Sequence, residues 1–100
     1  AQMVAERIAY VAGYKQVLCI THLPQIACMA DEHLYISKSV KGDATVTQVE
    51  SLSEEERMRE IARMASGDDV TESALANARE MLANAQKKQV EFRKKTAHRK

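Results

Sequence analysis

The sequence has little of the glycine and proline that are abundant in disordered, low-complexity or fibrous proteins. Of its 100 residues three are glycine, one is proline and none is tryptophan. With 45% hydrophobic and 29% charged residues, the composition argues against a disordered or low-complexity chain. No apolar run approaches the roughly 20 residues of a membrane-spanning helix, and the first residues do not resemble a secretory signal peptide. The prediction is one small domain of a cytoplasmic protein with no membrane partner.

Cysteine is also scarce, since Cys19 and Cys28 are the only two. Two residues do not make a disulfide framework, and both lie among apolar neighbours, so we expect small buried thiols. With His22 and His33 they form a C-x2-H-x5-C-x4-H pattern, which lacks the close ligand pairs of zinc ribbons and fingers. No metal site is predicted.

Charge is distributed unevenly along a sequence whose formal net charge is +1. Residues 86–100 hold seven Lys or Arg and one acid, whereas the first 85 residues hold eight bases and thirteen acids. A basic end can contact nucleic acid, but cations also stabilise the C-terminus of a helix, and the pattern does not decide between the two. We predict a lobe over residues 1–85 and a basic, frayed helical tail over residues 86–100.

The first part of the sequence alternates between helical and extended patterns. Residues 1–12 have apolar side chains at helical spacing, without a capping residue before them, and Gly13 ends the pattern. We therefore expect the chain to begin within a larger fold. Residues 16–20 are consecutively apolar, which is typical of a strand buried on both faces of a parallel sheet. Pro24 then favours the start of a short helix over residues 24–30.

The middle of the sequence predicts an antiparallel hairpin. Residues 33–40 and 44–49 are rich in β-branched and aromatic side chains, and a turn that contains Gly42 separates them. Ser53 and Glu56 then form the pattern of a capping box at the start of a helix.

Two helices are predicted after the hairpin. The first begins at Ser53, ends near Gly67 and buries a stripe formed by Met58, Ile61, Ala62 and Ala65. The second has Thr71 as its N-cap, and its apolar seam fades beyond Gln86. The seam consists of Leu75, Ala78, Leu82 and Ala85, and more weakly of Gln89 and Phe92.

His22 is the candidate functional residue by position. In an open α/β sheet, ligands bind beyond the carboxyl ends of the strands, and His22 follows the predicted buried strand directly. An imidazole there can hydrogen-bond a phosphate or a catalytic water. The other two histidines are expected to be a surface residue at a strand start, for His33, and part of the frayed tail, for His98.

The segment Val-Leu-Cys-Ile-Thr-His-Leu-Pro-Gln-Ile-Ala at residues 17–27 resembles the switch-histidine segment of the RecN family. RecN proteins are bacterial DNA-repair ATPases related to the SMC and ABC head domains. Further blocks resemble the family in order and spacing, at residues 34–38, 54–57, 60–64, 70–75 and 78–80. The resemblance covers residues 1 to about 82, and the Thr-His-Leu-Pro-Gln motif makes it specific.

The resemblance implies an α/β fold, the C-terminal fragment of a P-loop NTPase head. Its elements would be a helix, a buried strand, a short helix, a hairpin and two C-terminal helices. It implies ATP and Mg²⁺ as ligands of the intact protein, with His22 contacting the γ-phosphate and with Thr21 and Gln25 orienting that histidine. The implied partners are DNA, the second head of a homodimer and an upstream lobe of the same protein, in the bacterial cytoplasm at the nucleoid.

The sequence lacks a G-x-x-x-x-G-K-[ST] phosphate loop, a signature motif and an Asp-Glu pair after an apolar strand. We therefore expect no ATP hydrolysis by this chain alone. One competing interpretation is a nucleic-acid-binding or protein-interaction module that acts through the basic tail. Another is a different α/β enzyme in which His22 is a general base, although no partner acid or nucleophile is evident.

Overall fold

The computed structural model describes residues 1–96, and in this range it contains four helices and one antiparallel hairpin. The elements, in order, are α1 (Gln2–Ala12), α2 (Pro24–Cys28), β1 (Leu34–Lys41), β2 (Ala44–Ser51), α3 (Glu54–Ser66) and α4 (Glu72–Thr96). The fold is thus mixed α/β, compatible with a fragment of a larger protein. No helix within these residues combines the length and apolarity needed to span a membrane.

The predicted buried strand at residues 16–20 is wrong for this structure. These residues form no regular element, and the side chains of Leu18 and Ile20 are 84% and 87% exposed. A strand exists only when its backbone N–H and C=O groups pair with a neighbour. In the part of the protein that is described, β1 and β2 pair with each other and offer residues 16–20 no partner. The predicted parallel sheet is therefore not found.

The hairpin prediction is confirmed, with each strand eight residues long. The register runs from Leu34 opposite Ser51 to Lys41 opposite Ala44, so a two-residue turn connects the strands. Gly42 in that turn has a φ of 64°, a conformation that costs glycine little. One face of the hairpin carries four exposed large apolar side chains, namely Leu34, Ile36, Val40 and Val49. We call this set the apolar hairpin face.

Helix α3 begins with the predicted capping box. The Ser53 hydroxyl accepts the Glu56 N–H at 3.2 Å, and the Glu56 carboxylate accepts the Ser53 N–H at 3.0 Å. Ile61 and Ala62 are buried as expected, but Ala65 is exposed, contrary to prediction. Half-buried Met64 packs against the core in its place, because the stripe advances from Ile61 by three residues at this end of the helix.

Helix α4 has the predicted cap and seam. The Thr71 hydroxyl accepts the Ala74 N–H at 3.1 Å, and Ala78 and Ala85 are buried. The helix continues to Thr96 with Phe92 packed against the core, and the fraying expected from residue 86 stays a prediction. Residues 97–100, including His98 and two of the predicted tail's cations, lie outside the described residues.

Small side chains from all four helices form the core. Ile61 is the only large side chain among residues 1–96 that is fully buried. The other buried core residues are Ala5, Ala27, Cys28, Met29, Ala62, Ala78 and Ala85. None of them belongs to the hairpin. The alanines let the helices approach closely, and α2 lies in contact with α1, α3 and α4.

Candidate functional site

Thr21, His22 and Leu23 form the link between the exposed segment at residues 16–20 and α2. The Thr21 hydroxyl accepts the Leu23 N–H at 3.0 Å, a local turn that Thr side chains favour. Leu23 is extended, and Pro24 occupies the first helical turn, where its missing N–H costs nothing. The side chain of His22, at the centre of this turn, is exposed. The link therefore presents an imidazole to solvent just before α2.

Helix α2 is only five residues long, and a single turn of helix is not stable by itself. Arg57, in the first turn of α3, holds the C-terminal end of α2. One guanidinium nitrogen, Nη2, donates to the carbonyls of Ala27 at 2.9 Å, Cys28 at 3.1 Å and Ala30 at 2.7 Å. A helix end leaves such carbonyls without a partner, so the guanidinium of Arg57 caps the C-terminus of α2.

Helix α4 holds the residues that follow α2. The Gln89 side-chain amide donates to the carbonyl of Met29, and Arg93 forms an ion pair with Asp31. Together with Arg57, these contacts fix the C-terminal end of α2 to both long helices. Gln89 and Arg93 both belong to the segment predicted as a basic tail, so part of that segment has a structural role.

Burial at the C-terminal end of α2 shifts the pKa values of Cys28, in α2, and of Arg57, which contacts α2 from α3. Burial lowers the pKa of the Arg57 guanidinium, which nevertheless stays charged because arginine is not deprotonated in proteins. Burial raises the pKa of the Cys28 thiol, so this cysteine is a protonated, inert core residue, as predicted. Cys19 is exposed, contrary to prediction, because it lies in the segment that has no strand partner.

His33 is half-buried rather than a surface residue, which corrects the prediction from sequence. Its Nδ1 is buried and has no hydrogen-bond partner within residues 1–96. Burial lowers the pKa of His33, and the positive charge of Arg57 lowers it further, against the opposing effect of Glu60. The neutral imidazole is therefore the form that the folded protein favours.

We expect the free energy of unfolding to decrease as the pH falls below about 6.5, the ordinary pKa of histidine. In this range the unfolded protein binds a proton at His33 more readily than the folded protein does, because the folded-state pKa is lowered. Denaturant unfolding at pH values of about 7.5 and about 5.5, on either side of that pKa, measures the effect. The His33→Gln variant should lose less stability between these pH values, whereas the matched variant His22→Gln, at an exposed site, should behave like the unmodified protein. Equal pH dependence in all three would contradict this expectation.

The three site residues predicted from sequence lie together on this link and on the first turn of α2. Thr21 and Gln25 are half-buried, and neither has a described hydrogen bond to the His22 side chain. Within residues 1–96, no three His, Cys, Asp or Glu side chains are close enough to share a metal ion. This part of the protein presents one exposed imidazole, on a turn followed by a helix whose C-terminal end is held by Arg57.

Arg57 is a residue of this site that the sequence patterns did not reveal, beyond its place in a block that resembles the RecN family. One signal was nevertheless present. Arg57 lies four residues before Ile61, so both are on the buried face of α3. A charged side chain on a core-facing stripe must find polar partners, and here they are the carbonyls of α2.

Comparisons with known proteins give consistent matches. The chain is 51% identical over 85 residues to the DNA repair protein RecN of Bacillus subtilis, covering 85% of this chain and 15% of that protein. It is 50% identical over 82 residues to RecN of Halalkalibacterium halodurans and 48% identical over 80 residues to RecN of Deinococcus radiodurans. Those matches cover 82% and 80% of this chain and 14% of each relative. The chain thus spans about 15% of the length of these curated relatives, and no family model matches it.

Proposed function

We propose, because this chain matches a C-terminal part of the RecN DNA repair proteins, that it belongs to an ATP-hydrolysing protein of DNA double-strand-break repair and recombination. In this proposal His22 contacts the γ-phosphate of ATP and is the catalytic residue that this segment contributes. Thr21 and Gln25 support its orientation. The rest of the nucleotide site belongs to other parts of the protein and to the second head of a homodimer.

The observation that carries the proposal is the exposed His22 on the turn of Thr-His-Leu-Pro-Gln. An imidazole N–H in this position can donate to an oxygen of the γ-phosphoryl group, where negative charge is distributed in the transition state. A donor that is already held in place costs no reorganisation during the reaction. The turn restrains the backbone that carries His22, since Thr21 closes it on one side and the anchored α2 follows on the other.

No three His, Cys, Asp or Glu side chains of residues 1–96 are close enough to enclose a metal ion by themselves. The sequence also lacks a Gly-rich phosphate loop. ATP and its metal ion would therefore be held elsewhere in the protein. Engagement of DNA, dimerisation through the heads and a place in the bacterial cytoplasm at the nucleoid are part of the same proposal.

A segment exchange tests this function. In a full-length RecN protein such as that of Bacillus subtilis, the counterpart segment is replaced by this chain, and ATP turnover is measured beside the parent and a protein without the segment. We expect the exchanged protein to retain turnover within about tenfold, a loss of at most roughly 1.4 kcal/mol in activation free energy. The deletion protein and the isolated chain should both be inactive.

Two results would overturn the proposal. One is ATP turnover by the isolated chain, which would mean that it has a complete site of its own. The other is an exchanged protein that binds ATP with full stoichiometry but does not hydrolyse it.

The competing interpretation assigns the basic end of α4 to phosphate contact. Three of the five bases at residues 86–96 form ion pairs, Lys88 with Glu6 at 2.7 Å, Arg93 with Asp31, and Lys95 with Glu91 at 3.9 Å. The pairs of Lys88 and Arg93 favour a role in holding α4 to the rest of the lobe, whereas the pair of Lys95 and Glu91 lies within α4. Salt-dependent DNA binding that disappears when residues 86–100 are deleted would instead support the nucleic-acid interpretation.

A further inference from the structure

We infer that Arg57 is a positioning residue for His22, and that it acts by fixing α2 from its C-terminal end. This inference rests on the proposed role of His22 at the γ-phosphate. Arg57 lies on another helix and 35 positions away in the sequence, and its guanidinium contacts α2 and the turn after it rather than His22. Its effect on the reaction therefore passes through the backbone of α2.

A single nitrogen of Arg57 contacts three carbonyl oxygens at 2.7 to 3.1 Å. Because Nη2 has two hydrogens, at least one hydrogen is shared between two acceptors. Such a contact exists only if all three carbonyls converge on one point, and this convergence defines the path of the backbone from Ala27 to Ala30. The guanidinium thus fixes both the end of α2 and the turn after it.

The opposite end of α2 has much weaker support. The residues before Thr21 are exposed and form no regular element, so they do not restrain the link that carries His22. The turn closed by Thr21 and Leu23 is local, and it fixes the shape of the link but not its place in the molecule. The position of the link is set by α2, which is one turn long. Arg57 holds the carbonyl of Cys28 at the end of α2, and Gln89 holds the carbonyl of the next residue, Met29.

The chemistry of the anchor requires arginine. Guanidinium is planar and delocalised and is less strongly hydrated than an ammonium group, so its partial burial costs less. Arg57 nevertheless leaves its Nε buried without a partner in the described residues, which is a cost in stability. An apolar side chain would avoid this cost, but the carbonyls of Cys28 and Ala30 would lose their charged donor, and that of Ala27 would keep the Ala30 N–H at 3.3 Å. The C-terminal end of α2 would then be held less firmly.

The test uses a full-length RecN protein that carries this segment, with ATP turnover and stoichiometric ATP binding measured together. We expect Arg57→Met to lower kcat by about 10- to 100-fold, since an error of about 1 Å in the placement of a catalytic group can cost that much. The KM for ATP and the binding stoichiometry should stay within about twofold, because the phosphates are held elsewhere. Arg57→Lys should give an intermediate kcat, and it decides the test if the methionine variant does not fold.

Arg59→Met is the matched control. Arg59 lies on the same helix, but its side chain is 61% exposed and forms a surface ion pair with Glu55 at 3.7 Å. A pair of this kind contributes little, and the control should turn over ATP at the unmodified rate.

A double-mutant cycle separates positioning from a loss of stability. In the His22→Ala background, adding Arg57→Met should lower kcat by less than about twofold, because the side chain that Arg57 positions is already absent. An equal loss in both backgrounds, loss of bound ATP in parallel with rate, or unmodified turnover by Arg57→Met would each overturn the inference. If His22→Gln and His22→Ala both turn over ATP normally, the proposed function fails instead.

Discussion

Replacing His22 by alanine should lower ATP turnover by about 100-fold or more in a full-length RecN protein that carries this segment. The reason is the loss of a donor that faces the charge on the γ-phosphoryl group in the transition state. ATP binding should be nearly unchanged, because a phosphate loop in another part of the protein would hold most of the nucleotide. Steady-state kinetics with an independent measurement of bound ATP distinguish the two effects.

Two further variants define the His22 experiment. His22→Gln keeps an N–H donor of similar reach and should retain more activity than alanine. Gln16→Ala is the matched control, since Gln16 is exposed and lies in the irregular segment before the link, six residues earlier. If His22→Ala turns over ATP at the unmodified rate, His22 has no part in hydrolysis.

Replacing Ile61 by alanine should lower the free energy of unfolding of this chain by about 2–5 kcal/mol. Ile61 has 0% of its surface accessible to water, and most other core residues are alanines. The loss combines the transfer of the removed carbons to water with the cavity that the neighbouring side chains do not fill completely. The loss is a large fraction of the roughly 5–15 kcal/mol that stabilises an ordinary domain. Denaturant unfolding followed by circular dichroism measures it.

Ile36→Ala is the control for this prediction, because it removes the same atoms at a site that is 51% exposed on the apolar hairpin face. It should cost less than about 1 kcal/mol, since surface substitutions away from the core have small effects. Equal losses for the two variants would mean that Ile61 does not have the central place in the core that the structure gives it.

The local elements of this fold were predictable because the signals that specify them lie close together in the sequence. The capping box needs only Ser53 and Glu56, which are three residues apart. The hairpin needs two β-rich runs and a Gly-containing turn, and Gly42 supplies the positive φ. The candidate site was predictable for a similar reason, because Thr-His-Leu-Pro-Gln is contiguous.

The failed predictions concern relations between distant residues. Consecutive apolar side chains at residues 16–20 indicated burial, but burial of a strand depends on neighbouring strands, which the described residues do not provide. The exposed Leu18 and Ile20 show that a correct local pattern does not ensure a partner. The predicted burial of Ala65 was wrong because the buried stripe of α3 continues from Ile61 by three residues, to Met64, and not by four, to Ala65.

The role of Arg57 was missed and the burial of His33 was predicted wrongly, because nothing near them in sequence reveals what they contact. The carbonyls that Arg57 binds lie 27 to 30 residues away, and the half-burial of His33 follows from packing between elements. A polar residue on a buried face indicates a contact with another part of the protein, since a buried polar group without a hydrogen-bond partner lowers the stability of the fold. By this criterion Arg57 is identifiable from the helical pattern of residues 54–66, although its partners are not.

Helix α1 is attached to the rest of the molecule more weakly than any other long helix. Its one buried residue is Ala5, its tie to α4 includes the partly exposed pair of Glu6 and Lys88, and the residues that follow it are exposed. Few buried contacts mean a low free energy of local opening. Backbone amides of α1 should therefore exchange with solvent deuterium sooner than those around Ile61, so that α1 undergoes local unfolding while α2, α3 and α4 remain folded.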